Sequence, residues 1–475
     1  MKLFESLAIG SMVIPNRIMV PAMVTRLSGE DGFVNQAISD RYAGYAVGGV
    51  GLVVIEAMAI HQAKSGPLLR ISEDKYVPGL ADMVRRIHDT SDSRVVPQII
   101  HFMKVARSGW RQTVDTLAVQ EIDAIVEQFG DAVLRARMAG FDGAELHSAH
   151  AYTLASFLSR ANRRTGEYGG DSLEGRLRLI GRVMENIRRK VGADFPVCIR
   201  IDSEEFIRDG YTVEDSRLIA LRLAQLGFGY ISLSVGGKFE DAIHKPGEVP
   251  YPYTGYSGDR AMPGSWYPPM VHAHLAAEIR GFVRSKGFQV PIAVAGKISD
   301  PDDAEDVIAG GKADIVAIAR GLLADPYWPK KVRAGQRDRI VRCDYCNYCK
   351  DLDGTHKEVI CYLWPKGARQ APAYVPDGTA PQWGADGGGL RAEIRGRGAA
   401  LHWSKPVGAV VHYDVYRADD GGKVKIIDGV KANQWTDSGI LGGMHYRYYV
   451  RACDASGGSS APSNSVLVVP PVPPA

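Results

Sequence analysis

This chain lacks the marks of several large protein classes. No apolar run approaches the roughly 18 residues of a membrane span, which excludes a helical membrane anchor as an expectation. The N-terminus, MKLFESLAIGSMVIPNRIMV, is broken by charge, Gly and Pro before a signal-peptide core could form. The net charge is only +3 over 475 residues, which gives no reason to propose nucleic acid or an anionic membrane surface as partner. Cysteine is scarce, six in all, so a disulfide-built scaffold is excluded. A reducing, cytoplasmic location is the expectation, and it suits free thiolates.

What cysteine there is lies together. Cys343, Cys346, Cys349 and Cys361 account for four of the six. The segment reads CDYCNYCK and is followed by CYLWP. Closely spaced thiolates are soft anionic donors, the ligand set of an iron–sulfur cluster. A zinc site more often shows two separated CxxC pairs. Single-electron chemistry follows from the cluster reading.

The hydrophobic content, 45%, is ordinary for a globular protein. Residues 1–335 alternate short apolar strands with amphipathic helices. The strand candidates are 17–23, 51–57, 95–101, 143–147, 197–201, 230–234, 292–295 and 314–319, all continuous apolar runs, as parallel strands buried on both faces require. Helical patterns at 121–138, 173–191, 213–226 and 300–309 lie between them. Ser299-Asp300-Pro301 is a helix start, with a capping residue just before proline. The rhythm predicts an α/β fold, a (β/α)8 TIM barrel. A doubly wound sheet would more often show a glycine fingerprint after its first strand, and Met23-Val24-Thr25-Arg26 carries none.

The cysteine segment spans 336–370. Residues 371–389 are rich in Pro, Gly and Ala and read as a linker. Beyond it the texture changes to short alternating strands at 390–394, 399–403, 410–417, 423–427, 433–437, 446–454 and 465–469. They predict a small all-β, immunoglobulin-like sandwich over 390–475. Cys198 and Cys453 read as buried structural thiols.

In such a barrel the active site lies at the C-terminal ends of the strands. His147, His150 and Tyr152 leave the fourth strand together. Two imidazoles can donate to one oxygen and stabilise an enolate, and a phenol can supply the proton; the alternative is loop residues satisfying backbone groups. Arg200 sits inside a barrel strand, where a charge is costly unless paired. It either pairs with Glu145 or Asp202 or faces a negatively polarised ligand. Gly296-Lys297 and Arg320-Gly321 follow strands seven and eight and fit the phosphate site of this fold. The stretch 235–269, with His244, Tyr251, Tyr253, Tyr256 and Trp266, reads as a substrate lid or as a contact between copies in a homo-oligomer. Arg107 and Arg111 read as solvated charge or as partners of a CoA phosphate.

These residues carry a resemblance. Pro15-Asn16-Arg17-Ile18, residues 48–58, 97–101 and 144–152, Phe157-Leu158-Ser159, Thr165-Gly166-Glu167-Tyr168-Gly169-Gly170 and 319–326 resemble, in order, the old yellow enzyme family of FMN-dependent ene-reductase barrels. The cysteines extend the resemblance to its iron–sulfur branch, which resembles 2,4-dienoyl-CoA reductase and trimethylamine dehydrogenase. It implies FMN and a [4Fe-4S] cluster. By position, Ala22, Met23, Val24, Ala57, Gln98 and Arg200 would line the flavin ring, with Gln98 on its pyrimidine edge and Arg200 near N1 and C2=O. Gly296, Lys297, Ala319 and Arg320 would hold its phosphate, and Cys343, Cys346, Cys349 and Cys361 the cluster. His147 and His150 would bind the substrate oxygen, and Tyr152 would donate the proton. Hydride would pass from flavin N5 to the β-carbon of an enone or enoyl thioester, such as an acyl-CoA, with the cluster feeding single electrons.

Three departures accompany the resemblance. The family's third cysteine usually comes one residue later, as C-x2-C-x3-C. Val24 stands where a small or polar residue is usual, and no nearby cysteine could form a cysteinyl flavin. No strand–GxGxxG–helix follows Cys361. Instead Trp403, Tyr413-Asp414-Val415-Tyr416-Arg417 and 446–452 resemble a fibronectin type III domain, with Tyr446 as its tyrosine corner. A separate electron-transfer protein is therefore the expected source of reducing equivalents. Two further readings stand beside the reductase: an amine or C–H dehydrogenase passing electrons outward, and a non-catalytic electron-transfer or scaffold subunit.

Overall fold

The computed structural model describes all residues except 64–65, 105–111, 237–257, 366, 373, 375–380, 397, 420–423, 455–458 and 473–475. His244, Tyr251, Tyr253, Tyr256, Arg107 and Arg111 lie outside the described residues. Among the described residues no helix is long and apolar enough to cross a membrane. The chain packs as two compact units, Met1–Leu322 with Leu352–Val359, and Leu323–Asp351 with Ile360–Ala475.

The first unit is a closed, all-parallel barrel of eight strands. A short antiparallel hairpin, β1 (Leu7–Ile9) and β2 (Met12–Ile14), precedes it. The barrel strands are β3 (Ile18–Val20), β4 (Leu52–Ala59), β5 (Arg94–Ile100), β6 (Ala144–Ser148), β7 (Val197–Asp202), β8 (Ile231–Ser234), β9 (Ile292–Val294) and β10 (Ile315–Ala317). Each of the eight expected strands is present, within a few residues at its ends. The sequence expectation missed the hairpin, whose strands are only three residues each.

Helices Gln36–Val47, Val77–Thr90, Val119–Met138, Leu173–Val191, Val213–Gln225, Ala273–Ser285 and Pro301–Ala309 alternate with the strands. The last begins as its sequence demands. Asp300 is the N-cap, its side chain accepting from the Asp302 amide, and Pro301 fills the first helical position, where a missing N–H costs nothing.

The barrel interior is layered. At its lower end Met19, Leu52, Val54, Val96, Cys198, Tyr230, Ala293 and Ile315 pack with Ile9, Met12 and Ile14 of the hairpin. Cys198 is thus a fully buried thiol. Toward the C-terminal ends of β5–β8 the interior turns polar, with Gln98, Glu145, His147, Arg200, Ser232 and Ser234 all buried. Apolar packing stabilises the closed end, and the polar layer is carried above it.

Among the described residues of the second unit, seven strands form two antiparallel sheets: β11 (Arg391–Arg395), β12 (Gly398–His402) and β15 (Gln434–Asp437), and then β14 (Val424–Val430), β13 (His412–Asp419), β16 (Tyr446–Cys453) and β17 (Val466–Val468), in those orders. Leu390, Leu401, Trp403, Tyr413, Val415, Tyr448 and Val450 form a shared core. Trp403 meets Tyr413 edge-on at 5.4 Å. The Tyr446 hydroxyl accepts from the Leu441 amide at 3.0 Å, five residues upstream.

Candidate functional site

Period-two alternation puts Glu145 and His147 of β6 on one face. Parallel register sets Glu145 beside Gln98 and Cys198, and His147 beside Arg200. On the next strand Ser232 is beside Arg200, and Ser234 beside Asp202. The residues expected to act together are therefore neighbours by strand register.

Two hydrogen-bond sets hold them. Gln98 Nε2 donates to Glu145 Oε1, and the Tyr230 hydroxyl to Glu145 Oε2, both at 2.7 Å. Burial drives the Glu145 pKa up against the opposing pull of Arg200, Tyr230 and Gln98. The second set runs through Arg200, which donates to Ser232 Oγ at 3.1 Å and Ser234 Oγ at 3.2 Å. Among the described residues, no carboxylate lies within ion-pair distance of this buried guanidinium. Of the two alternatives for Arg200, direct pairing is thus not what the structure shows.

Ser234 Oγ is also 2.6 Å from His150 Nε2. Arginine can only donate, so Ser234 accepts from it and is free to pass its own proton to His150. His150 and Ala151 both have left-handed backbones, φ 58° and 60°, an unusual state for residues with a Cβ. That kink folds the chain back after β6. The His150 amide, donating to buried Asp202 Oδ2 at 2.9 Å, anchors it. Asp202 itself has its pKa pushed well up by burial.

His147 and His150 consequently stand with ring centroids 5.2 Å apart, and Tyr152 packs 4.8 Å from His147. Burial, with the neighbouring His150 and Arg200 charges, holds the His147 pKa well down; burial and Arg200 lower His150 to about 3. Both rings are neutral near pH 7. The Ala149 amide donates to His147 Nδ1 at 3.2 Å, which places the His147 proton on Nε2. Tyr152 also packs with Val24 against Ala57, Ala59 and Ile100.

Around this group, Ala22, Met23 and Val24 are half-buried and Ala57 is buried. Behind Val24, the Thr25 amide donates to Glu56 Oε2 at 3.2 Å, and burial raises the Glu56 pKa to about 7. Arg26 pairs with Asp353 at 2.7 Å, and the Val359 amide donates to Thr25 O at 2.8 Å. So residues 352–359, which lie between Cys349 and Cys361 in sequence, pack on the loop after β3.

At the ends of β9 and β10, Gly296 has φ 131°, and a Cβ there would come within 2.5 Å of His272 Nδ1. Lys297 Nζ donates to Ser265 O at 3.0 Å and to Tyr267 O, and Arg320 Nη2 to Pro263 O at 2.9 Å. Ala319 is half-buried beside Arg320. Trp266, in this same stretch, is 41% exposed, and its ring lies 6.0 Å from that of Tyr267.

Sequence reasoning named most of this set but missed Tyr230, Ser232 and Ser234. The signal was present in β8 as two serines at alternate positions of an apolar strand.

The four clustered cysteines lie in the second unit. Tyr345 and Asn347 have left-handed backbones, φ 59° and 64°, which curl the shortened CxxCxxC. The Tyr345 amide approaches Cys343 Sγ at 3.4 Å. Among the described residues only His412, Asp414 and Cys453 form a group of three such ligand atoms within 4.8 Å of one another.

Residues 2–115, 106–231 and 272–339 match the NADH:flavin oxidoreductase / NADH oxidase family. The chain is 34% identical over 366 residues to an NADH oxidase of Thermoanaerobacter brockii, covering 73% of this chain and 52% of the relative. It is 29% identical over 378 residues to a cinnamate reductase of Clostridium sporogenes, covering 72% and 54%. It therefore spans about half the length of these relatives. A solved 2-naphthoyl-CoA reductase, in complex with 2-naphthoyl-CoA, superposes with a TM-score of 0.67 at 25% identity, over 77% of this chain and 57% of that one. An old yellow enzyme homologue from Zymomonas mobilis shares the fold, with a TM-score of 0.55 over 70% of this chain and 93% of that one. By the family match over its barrel and its identity to these relatives, the chain belongs to the NADH:flavin oxidoreductase / NADH oxidase family.

Proposed function

We propose that this protein reduces an activated C=C bond, in an enone or enoyl thioester, using FMN in the barrel and a [4Fe-4S] cluster on Cys343, Cys346, Cys349 and Cys361. The observation that carries this reading is the group at the end of β6: two neutral imidazoles and a phenol, beside a buried guanidinium that donates to Ser232 and Ser234. The residues fit the cofactors. Gln98 and Arg200, which donates to Ser232 and Ser234, suit a polar ring edge that gains negative charge. Ala22, Met23, Val24 and Ala57 offer an apolar wall, and Gly296, Lys297, Ala319 and Arg320 a phosphate site. Four thiolates clustered in sequence suit an iron–sulfur cage. When bound, FMN would supply the hydride and the cluster its single electrons.

The chain's own residues would do the rest. The His147 Nε2–H, with an N–H of His150, would donate to the substrate carbonyl and stabilise the enolate oxygen as it gains charge. Because burial keeps both rings neutral, they would polarise the oxygen without giving up their protons. Tyr152 would protonate the other carbon. The left-handed kink and the Asp202 anchor would hold His150 at the distance this requires. The cinnamate and naphthoyl-CoA reductases are relatives whose names fit such a substrate.

Electrons would enter the cluster from a separate electron-transfer protein. The strand order, the Trp403–Tyr413 contact and the Tyr446–Leu441 bond support a fibronectin type III domain.

Reduced methyl viologen, 2-cyclohexen-1-one and cinnamate test the proposal under anaerobic conditions. Wild type should oxidise the dye and release saturated product. His147→Ala with His150→Ala should lose about 10²–10³-fold in kcat with flavin retained. Failure of every unsaturated carbonyl to reoxidise the reduced flavin would refute the reading.

A further inference from the structure

A second ligand constellation lies far along the chain from the barrel residues. His412 and Asp414 are two apart on β13 and so share a face. Cys453, at the end of β16, is directly opposite His412 in antiparallel register. That face is the one turned away from the sandwich core, which takes Tyr413 and Val415 from β13 and Tyr448, Val450 and Ala452 from β16. Cys453 is therefore not filling that core, although it is buried; its sulfur lies 3.5 Å from Asp414 Oδ2. His412 Nε2 lies 3.4 Å from Asp414 Oδ1.

The three ligand atoms all lie within 4.8 Å of one another. Zinc binds nitrogen, oxygen and sulfur at 2.0–2.3 Å in a tetrahedron, which sets its ligand atoms ~3.3–3.7 Å apart. Imidazole, carboxylate and thiolate together match a borderline-soft ion. The support beneath them is specific. A register shift between Tyr413 and Val415 in the β13–β14 pairing puts Asp428 and Gly429 opposite Asp414. Gly429, at φ 74°, aims its amide at Asp414 Oδ1 at 3.3 Å. Such a bulge is a common way to aim a ligand, and a hydrogen-bonded carboxylate is the outer support that metal ligands usually have. The His412 and Asp414 side chains are 30% and 20% exposed, so an ion has a way in and one face remains toward solvent.

We propose that His412, Asp414 and Cys453 bind one zinc ion, with water in the fourth position. The Cys453 S–H bond breaks on binding, its proton passes to solvent, and a Zn–S bond forms. The ion would join β13 to the end of β16 on the outer face of the sheet.

The test uses the full chain carrying its flavin and iron, equilibrated with micromolar zinc chloride alone and then desalted. Zinc and iron are counted together, and X-ray absorption at the zinc edge reports the neighbours. Wild type should retain about one zinc per chain, with one sulfur and the remaining neighbours nitrogen or oxygen. Cys453→Ser and His412→Ala should each weaken retention by more than about tenfold, leaving iron and flavin content unchanged. His412 is the more exposed of the two, so its variant keeps the test decisive if loss of the thiol disturbs folding. Zinc absent from wild type, zinc retained by both variants, or zinc with four sulfur neighbours would each overturn the proposal.

Discussion

In the barrel, Gln98, Glu145 and Tyr230 hold one another across three strands, and Arg200, Ser234 and His150 do the same. In the second unit, a loop curled by left-handed Tyr345 and Asn347 carries three cysteines, and the fourth, Cys361, follows twelve residues after Cys349. The first arrangement is complete in its own bonds, and a ligand would enter a site already shaped. The second is a set of donors whose geometry an inserted ion would have to finish. Folding and cofactor loading should accordingly be separable in the barrel and coupled around the cysteines.

The largest effect should come from the cysteines. Cys346→Ala or Cys361→Ser should remove nearly all iron and destabilise the second unit by several kcal/mol, on the order expected when a folding-coupled metal is lost. Flavin absorbance and the barrel's melting transition should persist. Iron analysis with calorimetry reads both, and joint loss of flavin and iron would break the contrast.

Next is Glu145→Ala, which strips Gln98 and Tyr230 of a shared buried acceptor. It should cost about 2–4 kcal/mol in urea unfolding and leave iron content intact. An unchanged barrel midpoint would show that the polar layer is not self-supporting.

Acid should sharpen the same point. An unfolded histidine takes up its proton near pH 6.5, whereas folded His150 does so at about 3. Between those values the unfolded chain binds the extra proton, so the barrel loses stability as pH falls through that window. His150→Asn should remove that share of the fall, on the order of a few kcal/mol by pH 3. Burial raises Glu56 and Glu205 to about 7, which acts with the opposite sign; both are present in each protein, so the difference in slope isolates His150.

The smallest effect should be Tyr446→Phe, which removes one hydrogen bond to Leu441. It should lower the second unit's stability by about 1 kcal/mol and leave flavin fluorescence and enone reduction unaltered.

Much of this was legible in the chain. The barrel strands announce themselves because a strand buried on both faces is a continuous apolar run, and 197–201 or 292–295 allow little else. His147, His150 and Tyr152 were legible because they are sequence neighbours at a strand end. The hairpin of β1 and β2 was not, since three-residue strands carry too little alternation to register. Tyr230 was read as part of an apolar strand, and only its placement opposite Glu145 reveals a donor. Residues 352–359 have no periodic pattern at all. What fixes them is pairing with Arg26 and Thr25, more than three hundred positions away in the chain, and such pairing leaves no local trace.

The two left-handed residues after β6 have a consequence for anyone who would stabilise this protein. Glycine at position 151 would relieve a conformational penalty of roughly 1 kcal/mol or more. The same change would widen the arc through which the preceding imidazole swings. A variant chosen for its melting temperature could therefore be a poorer catalyst, because comfort for the backbone and aim for the side chain compete at this turn.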